Sequence, residues 1–274
     1  MPSVLVTGAG RGIGRTVALH MAQGGWEVYA GVRRPEDAEA LSQEAGITPV
    51  LLDITDAAQV AELRSAVGQR LDAVVNNAGV VVRGPVEGLA IDDLRRQFEV
   101  NLVSQVAVTQ AVLPMLRTSR GRVVFMSSIS GRVSTPFMGA YAGSKFALEG
   151  LADALRIELR PWGIRVTLVE PGSIDTDLWR NVEETTDEVE AGLSADHRRL
   201  YARQIAAMRK LSARVAKQAA PPATVAAAVE RALSADRPRA RYLVGADAKI
   251  QLALGAVIPP RFMDAAVGRM TGGR

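Results

Sequence analysis

Val4 Leu5 Val6 Thr7 Gly8 Ala9 Gly10 Arg11 Gly12 Ile13 Gly14 opens the chain, and a stretch of helical period, Thr16 to Ala22, follows it directly. A short β-branched run that passes through glycines into a helix reads as a strand, a tight turn and a helix in that order. Such a turn points backbone N–H groups and the positive end of a helix at an anion. Side chains in the turn would hold the anion off the backbone and the helix off the strand, which is why glycine is required. The spacing sorts the kinds of cradle. A GxxxxGK[ST] loop ending at Gly14 would need glycine at position 9 and lysine at position 15, where the chain has Ala9 and Arg15. The glycines at 8, 12 and 14 follow GxxxGxG and not GxGxxG. The pyrophosphate of a dinucleotide is the natural ligand of this turn.

Outward from that unit the rhythm repeats to about residue 170. Strand candidates are Val4 to Val6, Val28 to Ala30, Pro49 to Leu52, Ala73 to Val75, Arg122 to Met126 and Arg165 to Val169. Helices are expected in the intervals, from near Gly12, Pro35, Asp56, Ile91 and Phe137. Strands and helices in alternation predict an α/β fold, a doubly wound parallel sheet of Rossmann type with helices on both faces. After Pro171 Gly172 the rhythm breaks. Residues 173–220 carry an acidic stretch (Glu183, Glu184, Asp187, Glu188, Glu190) and then a basic one (Arg198, Arg199, Arg209, Lys210), read as a helical lid inserted over a site or as solvated surface helices. Pro221 Pro222 restarts the chain. Ala223 to Leu233 reads as a helix, Arg241 to Val244 as a last strand, and residues 246–274 as a C-terminal extension of one or two short helices. The whole, 1–274, is expected to be one domain.

Composition agrees. At 274 residues the chain is long enough to bury a large core, and its 48% hydrophobic and 23% charged residues are those of a globular protein. The formal charge of +4 is too small and too dispersed to predict a nucleic-acid partner. With no cysteine and only His20 and His197, thiolate nucleophiles and cysteine-based zinc sites are excluded and no metal site is expected. No leader pattern and no apolar run of membrane-spanning length is evident, so a cytoplasmic protein without a membrane span is expected.

Thr7 Gly8 with Gly12 Ile13 Gly14 resembles the TGxxxGIG signature of the short-chain dehydrogenases/reductases. The resemblance continues in family order through Asn76 Asn77 Ala78 Gly79, Asn101, Ser128, Tyr141, Lys145, and Pro171 Gly172 with Thr176, covering about the first 176 residues. The late segment Arg239 to Asp247 is similar to the tail of the steroid- and retinol-type branch.

For the cofactor, an acidic residue closing the second strand would bind the adenosine ribose and repel a 2′-phosphate. The chain has Gly31 Val32 Arg33 Arg34 there instead. Arg33 and Arg34, with Arg11 in the glycine turn, can offer donor forks to that phosphate, which favours NADP(H); the alternative is that they are solvated loop charges. By resemblance, Asp53 and Ile54 meet the adenine, although Asp53 could equally belong to a helix-capping turn.

The reacting centre is read from Tyr141 and Lys145, one helical turn apart on one face, and Ser128 at the end of the strand before them. A phenol can give a proton to a carbonyl oxygen as hydride arrives, or take one from an alcohol in reverse. Bringing its pKa from ~10 toward neutrality needs ~4 kcal/mol of differential stabilisation, for which Lys145 supplies a nearby charge. Ser128 would donate to the substrate oxygen. Ser127 is its rival, but adjacent strand residues face opposite sides.

The resemblance further implies that Lys145 bonds the nicotinamide ribose and that Asn101 holds a water in a proton relay, unless Asn101 is an ordinary polar helix residue. It implies that the loop Asn77, Ala78, Gly79 lets the cofactor approach, and that the turn Pro171, Gly172, Ile174, Thr176 meets the carboxamide. Gly8, Gly10, Gly12, Ile13 and Gly14 complete the binding set.

The expected activity is NADP(H)-dependent oxidoreduction of a carbonyl or secondary alcohol, lipophilic in body. Val81, Val82, Phe137, Met138, Leu178, Trp179 and Leu193 are candidates for an apolar pocket or for ordinary core. Two other readings are a non-catalytic NADP(H)-binding regulatory module and a nucleic-acid protein using Arg198 to Lys217. A homo-dimer or homo-tetramer is expected, with Ala107, Val108, Ala111, Val112, Leu151, Ala152 and Leu155 as interface or core.

Overall fold

The computed structural model describes residues 1–176 and 182–272. Its strands are β1 (Ser3–Thr7), β2 (Glu27–Val32), β3 (Ile47–Leu51), β4 (Ala73–Asn76), β5 (Arg122–Met126), β6 (Arg165–Pro171) and β7 (Arg241–Val244). All pair in parallel, in the order β3-β2-β1-β4-β5-β6-β7. Each strand expected from the sequence is present, most of them a residue or two longer.

Helices α1 (Gly12–Gln23), α2 (Pro35–Ser42), α3 (Ala57–Val67), α4 (Ile91–Phe98), α5 (Ser104–Ser119) and α6 (Gly139–Glu158) fill the crossovers through β6. Then come α7 (Val182–Gly192), α8 (Ala195–Ala216), α9 (Ala223–Ser234), and after β7 the helices α10 (Ala246–Val257) and α11 (Pro260–Met270).

Alternation along the strands feeds two cores. Val4 and Val6 of β1 face α1 and α9, whereas Leu5 between them packs with Val108, Val112 and Leu148 of α5 and α6. The same split recurs in β5, where Val124 and Met126 join the first core and Val123 and Phe125 the second. Both faces are therefore covered, which is why the strands read as nearly continuous apolar runs. Because β1 is flanked by β2 on one side and β4 on the other, the strand order reverses beside it, and a crevice opens above the ends of β1 and β4.

Two local details differ from the sequence reading. The helix expected near Phe137 starts at Gly139, because Phe137 has a positive φ of 66° that no helix accepts. Asn101 lies in a π turn, Glu99–Val103, spliced between α4 and α5.

Candidate active site

The glycine turn sits at the crevice. Gly8 has φ of +67°, and a Cβ there would lie 2.9 Å from the Ala78 Cα. A Cβ on Gly14 would run into the Gly8 carbonyl and the Asn77 amide. Asn77 ties the turn to the end of β4: its side chain donates to the carbonyls of Thr7 (3.0 Å) and Gly8 (3.2 Å). The Thr7 hydroxyl in turn accepts the N–H groups of Asn77 and Ala78, both at 3.1 Å. Arg11 precedes α1 without capping it by its side chain, so the first turn of the helix offers its N–H groups to the crevice. This bare cradle fits a pyrophosphate.

At the end of β2 the two arginines part ways. Arg34 closes a two-point fork on Asp37, with Nε and Nη2 both 2.9 Å from its oxygens, and that bond leads the causes holding the Asp37 carboxyl below its usual range. Arg34, expected beside Arg33 as a phosphate ligand, is thus committed to the first turn of α2. Arg33 is exposed, and its charge acts on Asp53. Burial opposes ionisation of Asp53, yet the Thr55 N–H and hydroxyl, at 2.9 and 2.7 Å, together with Arg33 keep it low. The capping alternative for Asp53 therefore holds in part: it closes a turn on Thr55, while Asp56 caps α3. Ile54 beside it is buried.

Above the ends of β5 and β6 the reacting groups converge. Ser128 follows β5, and its Oγ accepts the Ser130 N–H at 3.1 Å. Tyr141, half-buried in the first turn of α6, is held mostly protonated by desolvation; the Ser128 hydroxyl bond and then the charge of Arg83 pull its pKa back down. The Ser127 Oγ is buried beside Gly131 and has no hydrogen-bond partner among the described residues.

Lys145 is almost wholly buried and its Nζ donates to the Met126 carbonyl at 2.7 Å. Burial lowers its pKa to about 8, against the opposing pull of Glu149. The ammonium stands over the face of the Tyr141 ring, 5.8 Å from its centre. Arg83 is a second cation acting on the phenol, beside the Lys145 that the sequence suggested, whose ammonium is anchored on the Met126 carbonyl.

Asn101 is fully buried and saturated: it accepts the Val80 N–H at 2.8 Å and donates to the Val80 carbonyl (2.9 Å) and the Ser144 hydroxyl (3.3 Å). A Cβ on Gly79 would press on it at 3.3 Å. The asparagine thus holds the loop after β4 against α6. Gln97 does likewise through the Val82 N–H at 2.6 Å, and the Gly84 N–H bonds the Phe137 carbonyl at 2.9 Å. Between those two bonds Arg83 is fixed beside Tyr141. The sequence signal for it is a lone arginine ending the apolar run Val80 Val81 Val82.

The third wall is the turn after β6. Gly172 lies so close to Asp247 of α10 that a Cβ would strike the carboxylate, whose Oδ2 also accepts the Ser173 N–H at 2.7 Å. Ile174 bridges Ala220 through the groups on either side of it, the Asp175 N–H and the Ser173 carbonyl, both at 2.9 Å. In a parallel bridge the N–H of Ile174 then faces the other way. Thr176 stands across the crevice from Gly12, its Cγ2 3.5 Å from where a Cβ would be.

Of the expected pocket residues, Phe137 lines a cavity of about 420 Å³, opposite Met263 and Val267 of α11. The extension thus contributes a wall that the sequence did not reveal. Val82 and Leu193 are buried packing residues, and Leu178 and Trp179 lie outside the described residues. Val108, Val112 and Ala152 are core as well. The acidic and basic stretches meet in the hairpin of α7 and α8, where Arg209 pairs with Asp187 at 2.7 Å and Glu190 at 3.4 Å.

The short chain dehydrogenase family model matches residues 2–187. Retinol dehydrogenase 5 of Mus musculus is 36% identical over 96% of this chain and 86% of that protein. The NADPH-dependent 3-dehydrocapnine reductase of Ornithobacterium rhinotracheale is 33% identical over 96% of this chain and 95% of its own. A short chain dehydrogenase from Burkholderia cenocepacia, solved in complex with NADP, superimposes with a TM-score of 0.76 at 27% identity, over 97% of both chains. A reversing parallel sheet, a bare glycine cradle at its crevice and a serine, tyrosine and lysine gathered beside it, together with these matches, make this chain a member of the short-chain dehydrogenase/reductase family, oxidoreductases that use a nicotinamide cofactor.

Proposed function

We propose that the protein is an NADP(H)-dependent reductase of carbonyl compounds with a lipophilic body, able to run in reverse as a secondary-alcohol dehydrogenase. The observation that carries this is the gathering of Ser128, Tyr141 and Lys145 at the crevice, with the Lys145 ammonium over the Tyr141 ring, 5.8 Å from its centre.

The cofactor's pyrophosphate would lie on Gly8, Gly10, Gly12, Ile13 and Gly14, and its 2′-phosphate against Arg33 and Arg11. Asp53 and Ile54 would flank the adenine. Asn77, Ala78 and Gly79 would form the floor, and Pro171, Gly172, Ile174 and Thr176 the carboxamide turn. When bound, the nicotinamide supplies hydride for reduction or accepts it in the reverse direction. Ser128 donates a hydrogen bond to the substrate oxygen and fixes it beside Tyr141. The phenol then gives its proton to that oxygen as negative charge gathers there. Tyr141 suits the task because burial keeps it protonated at neutral pH, while Ser128 and Arg83 ease the loss of the proton. Lys145 holds the cofactor ribose and adds charge near the ring, and Asn101 positions the loop that carries Arg83. Residues 173–220 would act as a lid over the cavity, which residues 246–274 complete.

The NADPH in the name of the Ornithobacterium relative and the NADP of the Burkholderia structure support the cofactor choice. Retinol in the name of the mouse relative supports a lipophilic alcohol or carbonyl. The test is a paired NADPH and NADH turnover screen against aliphatic, aromatic and steroidal carbonyls, followed at the nicotinamide absorbance. Turnover with NADPH on at least one class supports the reading; binding without turnover on any class would favour a regulatory module. Assembly as a homo-dimer or homo-tetramer is checked by the mass in solution.

A further inference from the structure

The helices after β7 are covered by the domain on one side only. Past its first turn α10 carries no charged residue, and Gln251 is the one polar side chain from Ile250 to Val257. One face of the helix is used on the domain: Ala248 is fully buried, and a Cβ on Gly255 would meet Val133 at 3.4 Å. With about 100° between successive residues, Ile250, Leu254 and Val257 fall on the opposite face, where they are 59%, 46% and 81% exposed. A helix that is apolar on every side is normally enclosed. Here the outer half is bare.

The same division recurs in α11, with charges added. Met263 and Val267 turn inward onto the cavity beside Phe137. Phe262, 55% exposed, faces away from them with Ala265 and Arg269, and the Arg261 guanidinium lies over the Phe262 ring, 4.7 Å from its centre. The acidic groups of the extension lie on its inner side: Asp247 accepts the Ser173 N–H, and Asp264 lines the cavity. Lys249, Arg261 and Arg269 are all exposed. The bare side chains are therefore bordered by cations, with no carboxylate set among them.

Cations bordering an exposed apolar stripe are what a helix lying in a lipid interface presents. Its isoleucine, leucine and phenylalanine side chains enter the acyl boundary, while lysine and arginine stems reach back to anionic headgroups. A second copy is a poorer cover. A two-fold contact would set this face against itself, cations toward cations, with no acidic group there to balance them.

We propose that the outer faces of α10 and α11 seat the protein on an anionic lipid surface, with Ile250, Leu254, Val257 and Phe262 in the acyl boundary and Lys249, Arg261 and Arg269 at the headgroups. The α11 helix then stands between the lipid and the cavity that Met263 and Val267 line, a short route for a lipophilic substrate. That route rests on the carbonyl-reductase reading given above. The seating does not, and its test needs no turnover, so either can fail alone.

The experiment is co-sedimentation of the full-length protein with vesicles of phosphatidylcholine alone and of phosphatidylcholine with about one-third phosphatidylglycerol. The wild type should bind the mixed vesicles at least about tenfold more tightly than the neutral ones, and should be released as salt screens the headgroups. Ile250→Glu combined with Leu254→Glu should weaken binding by at least about tenfold, and Lys249→Glu combined with Arg261→Glu by a similar factor on the mixed vesicles alone. Wild type that stays in solution with both vesicles, or variants that sediment as the wild type does, overturn the proposal. So does a solution mass that falls by whole subunits in the Ile250→Glu, Leu254→Glu variant, since a second copy would then be what covers the face. If those variants do not fold, Phe262→Trp carries the test: its fluorescence, measured against wild type, should shift to the blue when mixed vesicles are added, and an unchanged spectrum refutes the seating.

Discussion

Replacing Lys145 by methionine should make the cofactor-free protein more stable at neutral pH while destroying its activity. Lys145 is 4% exposed, and burial takes its pKa from 10.5 to about 8. At ~1.4 kcal/mol per pH unit, holding the ammonium in the folded state opposes folding by about 3 kcal/mol at neutral pH. Methionine fills much of the same volume without a charge. It gives up the hydrogen bond to the Met126 carbonyl, a loss of about 1–1.5 kcal/mol. The net expectation is a gain of about 2 kcal/mol near pH 7.

The sign with pH follows from a base whose folded pKa is depressed. Between about pH 8 and 10.5 the folded lysine has released a proton that the unfolded lysine still binds, so the wild type gains stability as pH rises through that window. Below it the opposition to folding is complete. Urea unfolding of both proteins at about pH 7 and about pH 9.5 therefore separates the possibilities. The midpoint of the variant should exceed that of wild type at the lower pH, and the gap should narrow at the higher. A variant less stable at both, by the same amount, would refute the argument that an unfavourably buried charge sits at the reacting centre.

Other substitutions test the walls of the site. Arg33→Glu should lower kcat/KM for NADPH by roughly 10- to 100-fold and spare NADH, whereas Arg34→Ala should change it by less than about threefold because that guanidinium is already bound to Asp37. Asp247→Ala leaves the Ser173 N–H without its acceptor; the KM for cofactor should rise about tenfold and stability fall by about 1–3 kcal/mol, read by steady-state kinetics and urea unfolding.

The fold was legible because its signals are local. Valine-rich strands and glycine spacing are written within a few residues, and their alternation fixes a parallel sheet before any long-range contact is known. Ser128, Tyr141 and Lys145 were legible for the same reason: a strand end and one helical turn bring them together.

What stayed hidden depends on pairing across the chain. Arg241 meets Glu149 across 92 positions and Asp247 meets Ser173 across 74, and no local pattern announces either bond. Two adjacent arginines look alike in sequence, but Asp37, three residues after Arg34, claims one of them. Arg83 gives no local signal because its place beside Tyr141 is set by bonds at Val82 and Gly84 to residues 15 and 53 positions away, Gln97 and Phe137. The left-handed Phe137 and the π turn at Asn101 are imposed by that same packing and not by residue preference.

The central claim is that the Tyr141 phenol is the proton donor beside the hydride, and Tyr141→Phe measured for both NADPH affinity and single-turnover reduction tests it most directly. The account predicts a rate lower by about 10²–10⁴-fold with the dissociation constant for NADPH nearly unchanged. Reduction by the phenylalanine variant at close to the wild-type rate would contradict it.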